Sequence, residues 1–203
     1  MSKPVGIVYL LDDEAAVLDA LGFLLTSRGL DVRAYASGAE LLAAVDATPR
    51  PLAGVFLLDV RMESMSGLRV FEELSARRLR NPVLFLSGHG DIPMAVEALK
   101  KGAFDFLEKP YSDTALADRI EQAVRIDAAM HRHDARAAER DARLASLTER
   151  EHEVMQRVAA GKLNKVIADE LHVSVRTVEV HRARVFAKLG VRSAAEVATL
   201  LAG

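Results

Sequence analysis

Two hydrophobic patterns alternate along the first 126 residues. Short continuous apolar runs, typical of strands buried on both faces, are separated by longer segments in which apolar residues recur every three or four positions, as on one face of a helix. The predicted strands are Val5–Leu11, Val32–Tyr35, Val55–Leu58, Val83–Leu86 and Phe104–Leu107, and two of them include one charged residue, Arg33 or Asp105. Strands that alternate with helices in this way predict an α/β fold with a doubly wound, five-stranded parallel sheet.

The pattern changes after this region. From Arg125 to Ala145 the chain lacks Gly and Pro and is rich in Ala, Arg, Asp and Glu, which predicts one long helix running to about Leu144. A frayed, solvated linker is the alternative. Helical spacing then predicts four short helices, at Thr148–Ala160, Asn164–Leu171, Val175–Leu189 and Ser193–Leu201. The chain therefore divides into residues 1–126, a helical linker over residues 127–146, and a small all-α region over residues 147–203.

Polar residues end the predicted strands of the first region. Asp12 and Asp13 follow the first strand, Asp59 the third, Ser87 the fourth and Lys109 the fifth. Because the carboxyl ends of parallel strands meet at one edge, where open α/β sheets bind their ligands, we expect these side chains to converge. A lone aspartate after a strand can also simply cap the next loop, but the chemistry of the whole set favours a functional site.

This set of groups suits a magnesium-dependent acceptor of a phosphoryl group. Mg²⁺ binds carboxylate oxygens while keeping waters or phosphate oxygens. A carboxylate can also attack phosphorus to give an aspartyl phosphate. A metal ion and an ammonium group would neutralise the oxygens being transferred, and the hydroxyl of Ser87 could donate a hydrogen bond to one of them.

Residues 5–126 resemble the receiver domain of bacterial two-component response regulators, and most closely its FixJ branch. The resemblance rests on four motifs in order, Leu-Leu-Asp-Asp-Glu, Leu-Leu-Asp-Val-Arg-Met, Leu-Ser-Gly-His-Gly-Asp and Phe-Leu-Glu-Lys-Pro. It implies the flavodoxin-like strand order 2-1-3-4-5. It also implies that Asp59 is the phosphoacceptor and that Mg²⁺ is bound by Asp12, Asp13, Asp59 and the backbone carbonyl of Arg61.

The resemblance assigns roles to the remaining site residues as well. Lys109 would contact the phosphoryl group, Ser87 would swing toward it, and Phe106 would change its burial at the same time. One departure is visible, because Met62 is followed by Glu63 where the family usually has Met-Pro. The rigidity of this loop and the rate of autodephosphorylation are therefore left open.

In the last region, two predicted helices are joined by a three-residue turn, which is the layout of a helix-turn-helix whose second helix enters the major groove. A generic four-helix core would show the same periodicity. The helix Val175–Leu189 distinguishes them better, because Val178, His181, Val185 and Leu189 share one face. The opposite face carries small and basic residues that can approach base edges closely, namely Arg176, Val180, Ala183, Arg184 and Ala187.

Residues 147–200 also resemble the LuxR-type helix-turn-helix. The match runs through Leu-Thr-Glu-Arg-Glu-His-Glu-Val, Asn-Lys-Val-Ile-Ala-Asp-Glu-Leu, Ser-Val-Arg-Thr-Val-Glu-Val-His-Arg and Lys-Leu-Gly-Val. It implies that Glu179, Val180 and Ala183 face bases, with Glu179 able to accept from a cytosine amino group. The residues expected to contact phosphates are Lys165, Arg176, Thr177, Arg182 and Lys188.

Charge and composition fit two modules with different partners. The net charge of −2 combines −4 over residues 1–126, zero over 127–146 and +2 over 147–203. The lack of cysteine excludes disulfides and cysteine-based chemistry, and fits a reducing cytosol. The first apolar run is too short and too quickly charged for a signal peptide or a membrane span. We therefore expect a cytoplasmic protein.

Together these features predict a FixJ/NarL-type response regulator rather than an enzyme. A sensor histidine kinase would phosphorylate Asp59, and a homodimer would form through the surface of the fourth helix and fifth strand. The dimer would bind double-stranded promoter DNA, with RNA polymerase as a further expected partner. Two alternatives stay open: a phosphohydrolase or phosphotransferase that turns over at Asp59, and a DNA-binding protein whose receiver no longer controls its state.

Overall fold

A computed structural model describes residues 6–88 and 92–202. The first of its two compact units, which ends at Arg132, holds a five-stranded parallel sheet of order β2-β1-β3-β4-β5. Its strands are β1 Ile7–Leu11, β2 Asp31–Tyr35, β3 Val55–Asp59, β4 Val83–Ser87 and β5 Asp105–Glu108. The helices that connect them are α1 Ala15–Ser27, α2 Gly38–Ala47, α3 Gly67–Ala76 and α4 Ile92–Lys100, and α5 Asp113–Ala145 follows the last strand.

The doubly wound parallel sheet and its strand order are as predicted, while some ends differ. The predicted fifth strand, Phe104–Leu107, is shifted by one residue, because the backbone pairs Leu84 with Asp105 and Ser87 with Glu108. This strand lies at the edge of the sheet and is only partly buried, so it can carry charged residues that the apolar pattern excluded. The predicted start of the first strand, at Val5, lies outside the described residues.

The two faces of the sheet bury separate apolar cores. Alternate residues of the strands point to opposite faces, so that Tyr9, Phe56 and Phe85 pack against α2 and α3. Leu10, Leu57 and the other alternate residues pack against α1 and α5. Every residue of β3 is buried, as expected for a central strand covered on both faces. This rigid strand carries Asp59 at its carboxyl end.

A buried carboxylate holds α5 to the opposite end of the sheet, where β3 and β4 begin. Asp127, on α5, accepts from the Gly54 N–H at 2.9 Å and from the Asn81 amide at 3.2 Å. His131, one turn later, lies 3.0 Å from the carbonyl oxygen of Leu52. Sequence patterns did not single out this polar cluster, because it joins residues far apart in the chain.

The second unit begins at His133 and packs four short helices around its own core. They are α6 Glu149–Ala159, α7 Asn164–Leu171, α8 Val175–Leu189 and α9 Ala194–Ala202. The core is apolar, with Val154, Val178 and Val185 fully buried. A capping box begins α6, where Thr148 and Glu151 each accept from the other's backbone N–H.

The predicted helical continuation is also present, since α5 runs without interruption to Ala145. The boundary between the compact units falls within the predicted linker 127–146. The limits of the functional domains stay a prediction. In the described parts of the chain, no helix combines the length and the apolar character needed to cross a bilayer.

Candidate functional site

Asp59 lies at the carboxyl end of β3, where the chain leaves the sheet. The residue is only 5% exposed, and its Oδ2 accepts from the Arg61 N–H at 2.8 Å. The loop over residues 60–66 folds back toward the end of β3, so that Gly67 begins α3 directly against Asp59. A Cβ at position 67 would lie 2.2 Å from the Asp59 carbonyl oxygen. Glycine at this position is therefore what allows α3 to start so close to the acid.

Lys109 forms the closest contact to this carboxylate. Its Nζ lies 2.6 Å from Asp59 Oδ1 and 3.5 Å from Asp12 Oδ2. Burial raises the pKa of Asp59, and the Asp12 carboxylate adds to this, while the hydrogen bond and charge of Lys109 offset the rise only in part. Burial lowers the pKa of Lys109, but the hydrogen bond and charge of Asp59 outweigh it, so that the pKa lies above its ordinary value. The ammonium is thus firmly protonated beside an acid whose charge is costly.

The two acids after β1 are held by backbone N–H groups. Asp12 Oδ1 accepts from Glu14 N–H at 2.9 Å, and Asp13 Oδ2 accepts from Glu63 N–H at 2.8 Å. Asp12 is buried, whereas Asp13 is exposed. The site therefore joins the loops after β1, β3 and β5 through charged groups, as the sequence predicted for the sheet edge.

These oxygens fit Mg²⁺ in kind, since the ion prefers carboxylates and carbonyls. Asp12, Asp13, Asp59 and the Arg61 carbonyl are the groups that would hold it, and it would supply positive charge to the phosphoryl oxygens. Within residues 6–88 and 92–202, however, no group of three or more acids or histidines is gathered closely enough to bind a metal ion. The carboxylates instead accept from Lys109 and from backbone N–H groups, and a cation would have to rearrange these donors.

Ser87 and Phe106 lie on the neighbouring strands. Ser87 ends β4 fully buried, and its Oγ donates to the Gly88 carbonyl at 3.1 Å. The Lys109 N–H donates to the Ser87 carbonyl at 2.6 Å, which ties the ends of β4 and β5 together. Phe106 is partly buried, with its ring centroid 6.1 Å from that of Phe85. His89, Gly90 and Asp91 of the Ser-Gly-His-Gly-Asp motif lie outside the described residues.

The second site is the exposed face of α8. As predicted, Val178, Val185 and Leu189 are buried, while the opposite face, with Val180 and Ala183, is exposed. No residue of the described chain forms a hydrogen bond or ion pair with the side chains that flank this face or with the lysine of α7, namely Arg176, Glu179, Arg184 and Lys165. Thr177 lies at the start of α8, with its hydroxyl 2.8 Å from that of Ser174.

Two of the residues predicted to contact phosphates are bound within the unit itself. Arg182 donates to Asn164 Oδ1 at 2.9 Å and lies over the ring of Phe186. Lys188 donates to Glu151 Oε2 at 2.6 Å and to the Ser146 carbonyl at 2.9 Å. Sequence spacing gave no sign of these contacts, because both partners come from other segments. We assign these two residues to holding α8 in position.

Comparison with known families covers both units. The family described as "Response regulator receiver domain" matches residues 8–121. The family described as "Bacterial regulatory proteins, luxR family" matches residues 145–201. The chain belongs to the response regulators. It combines a receiver domain with a LuxR-type DNA-binding domain, as the sequence motifs predicted.

Relatives of this response regulator match it over nearly its whole length. The C4-dicarboxylate transport transcriptional regulatory protein DctR of Rhodobacter capsulatus is 46% identical, over 95% of this chain and 98% of its own. The transcriptional regulatory protein FixJ of Bradyrhizobium diazoefficiens is 42% identical, over 96% and 94%. These relatives are transcriptional regulators, which supports the prediction of a regulator over that of a phosphohydrolase.

Solved structures agree with this assignment. The response regulator StyR superposes with a TM-score of 0.90 at 37% identity, covering 99% of each chain. Full-length FixJ from B. japonicum superposes with a TM-score of 0.61 at 40% identity, covering 98% of this chain and 97% of its own. Both domains of the response regulator therefore have structurally characterised counterparts.

Proposed function

We propose that Asp59 accepts a phosphoryl group from a sensor histidine kinase and that this controls promoter binding through α8. The observation that carries the first step is the buried Asp59 carboxylate with Lys109 Nζ at 2.6 Å from Oδ1. One carboxylate oxygen would form the new bond to phosphorus as the bond to the donor breaks. Lys109 would then neutralise the phosphoryl oxygens.

A bound Mg²⁺ would add positive charge at the same edge of the sheet. We propose Asp12, Asp13, Asp59 and the carbonyl of Arg61 as its protein ligands. Their oxygen chemistry supports this, as does their position in the receiver motifs. Phosphorylation would be cation-dependent, because three acids and one ammonium leave the site with excess negative charge before any phosphate arrives.

The response to phosphate would pass through β4 and β5. Ser87 is buried at the end of β4, next to the strand that ends in Asp59, and its hydroxyl could turn from the Gly88 carbonyl toward a phosphoryl oxygen. Phe106 would then become more buried. We propose that the altered surface of α4 and β5 pairs with its copy, so that a homodimer presents two α8 helices.

DNA recognition would use the side chains that the domain leaves without internal partners. Val180 and Ala183 would lie against bases, and Glu179 would accept from a cytosine amino group. Arg176, Arg184 and Lys165 would contact phosphates with Thr177 beside them. Arg182 and Lys188 would act indirectly, by holding α8. Promoter DNA as the target supports a cytoplasmic location, with RNA polymerase as a further proposed partner.

The test is binding to promoter fragments by the purified protein, with and without acetyl phosphate and Mg²⁺. We expect phosphate to tighten binding in the wild type and to have no effect in Asp59→Asn. The matched control is Asp118→Asn, because Asp118 is an exposed aspartate on α5. Equal binding in every condition would identify a DNA-binding protein whose receiver does not control it. Sedimentation of both forms tests the dimer, and an unchanged mass on phosphorylation would contradict it.

A further inference from the structure

The loop after β3 contains a hydrogen bond that links it to the acid pair after β1. The Glu63 N–H donates to Asp13 Oδ2 at 2.8 Å, between residues 50 positions apart. Glu63 and Asp13 are both exposed. Backbone N–H groups also donate to Asp12 and Asp59, but those donors lie two residues away in the same loop as the acid. The Glu63 N–H differs because it comes from a different loop, and the side chain of Glu63 plays no part in the bond.

Only a residue other than proline can form this bond, because proline has no backbone N–H. The receiver pattern usually has proline after the methionine of this loop, whereas this chain has Glu63 after Met62. The bond therefore follows from a feature in which this sequence departs from the pattern of its family. It fixes the orientation of one of the acids expected to bind the cation.

The orientation that results does not gather the acids into a metal site. In the described chain no three acidic or histidine side chains converge on one point. Asp13 Oδ2 accepts from a backbone N–H of another loop. Asp12 and Asp59 each have one oxygen on a backbone N–H of their own loop and the other toward Lys109. Lys109 has a flexible side chain that can move aside, but the Glu63 N–H moves only with its loop. The backbone donor is therefore the more persistent competitor for a carboxylate.

We propose that the Glu63 N–H competes with the divalent cation for Asp13, so that residue 63 sets the cation affinity of the acceptor site through its backbone. The proposal rests on the proposed function, because it assumes that the site binds Mg²⁺. Residue 63 is a positioning residue, since it acts through Asp13. Breaking or sharing one hydrogen bond to a carboxylate should change the affinity about fivefold.

Two variants separate the backbone from the side chain. Glu63→Gln removes the charge and keeps the N–H, whereas Glu63→Pro removes both. Titration of each full-length protein with Mg²⁺, followed by calorimetry, should show that Glu63→Pro binds about fivefold more tightly than Glu63→Gln. Equal affinities, or weaker binding by the proline variant, would overturn the proposal while leaving the proposed function intact.

A second measurement on the wild type does not depend on how proline affects the loop. The amide proton of Glu63 should exchange slowly in the absence of Mg²⁺ and lose this protection when the cation is saturating, as followed by amide NMR. Protection that persists with bound Mg²⁺ would show that the bond and the cation are compatible, and would overturn the proposal. Absence of Mg²⁺ binding in all three proteins would instead refute the cation dependence of the proposed function, and this inference with it.

Discussion

Two carboxylates, one in each unit, have a lysine at the same distance but opposite shifts in pKa. Lys109 Nζ lies 2.6 Å from Asp59, and Lys188 Nζ lies 2.6 Å from Glu151. The pKa of Asp59 is raised, chiefly by burial. The pKa of Glu151 is lowered to about 2, chiefly by its hydrogen bond to Lys188 and then by the Thr148 N–H. A lysine partner alone therefore does not decide whether the pKa of a buried acid is raised or lowered.

The surroundings explain the difference. Burial is the main cause of the raised pKa of Asp59, and a second carboxylate, Asp12, shares the same ammonium and adds to the rise. Glu151 has Lys188 to itself and completes a capping box at the start of α6. In the first arrangement, a bound cation would stabilise Asp59, as would a phosphoryl group that brings its counterions. The second is a structural device that stabilises the start of a helix.

The largest effect is expected in the first unit, for Gly67→Ala. The added Cβ would lie 2.2 Å from the Asp59 carbonyl oxygen, and backbone must move to relieve the overlap. We expect a loss of about 3 kcal/mol in the stability of the receiver, measured by hydrogen exchange of β3 and α3, together with slower phosphorylation. The control is Gly22→Ala in α1, where nothing lies within 4 Å and a slight gain in stability is expected. Similar results for both variants would contradict the close approach.

In the second unit, Lys188→Met removes the ammonium group beside Glu151. The acid is only 3% exposed and would keep its charge without a cationic partner, with the Thr148 N–H still donating to it, so we expect the second unit to lose about 2 kcal/mol. Hydrogen exchange of the segments of α6 and α8 would report the loss. Lys165→Met serves as the control, since this lysine is exposed and should change stability by less than about 0.5 kcal/mol. A loss of DNA binding without a loss of stability would instead support a direct phosphate contact by Lys188.

A smaller effect is expected for Glu151→Gln, at about 1 kcal/mol, the usual scale for a lost cap. Because the pKa is lower in the folded state, Glu151 contributes its stability fully above its ordinary pKa of 4.5 and loses it as the pH falls through about 2. The difference from wild type should thus be largest near neutral pH and shrink in acid. Glu149→Gln, at an exposed position of the same turn, should show no such pH profile.

The smallest expected effect is a gain in stability instead of a loss. Because the pKa of Asp59 is raised in the folded state, its charge costs stability above that raised pKa, and the cost disappears as the pH falls below the unfolded value. Asp59→Asn should therefore raise the Tm of the receiver by about 2 °C at neutral pH. Scanning calorimetry at decreasing pH should show this advantage shrinking. A lower Tm in the variant at neutral pH would mean that Lys109 more than compensates for burial.

Strand and helix positions and the edge where the acids meet were predictable, because they follow from hydrophobic periodicity and the direction of parallel strands. The strand order was implied by the resemblance to the receiver family. The orientation of α8 followed from its apolar stripe for the same reason. The bonds of Asp127, Lys188 and the Glu63 N–H were not predictable. Each joins segments distant in the chain, and each of them involves a backbone group that no side-chain pattern encodes. The one-residue shift of β5 has a similar cause, since backbone pairing decides where a strand ends.

The close approach of Gly67 to Asp59 also has a genetic meaning. Every single-base change that replaces glycine with another amino acid introduces a side chain with a Cβ. At this codon, each of those changes would push a carbon atom into the carbonyl of the proposed phosphoacceptor. No single-base substitution at this position therefore gives a residue that lacks a Cβ. A lineage that replaces this glycine must move the start of α3 away from Asp59.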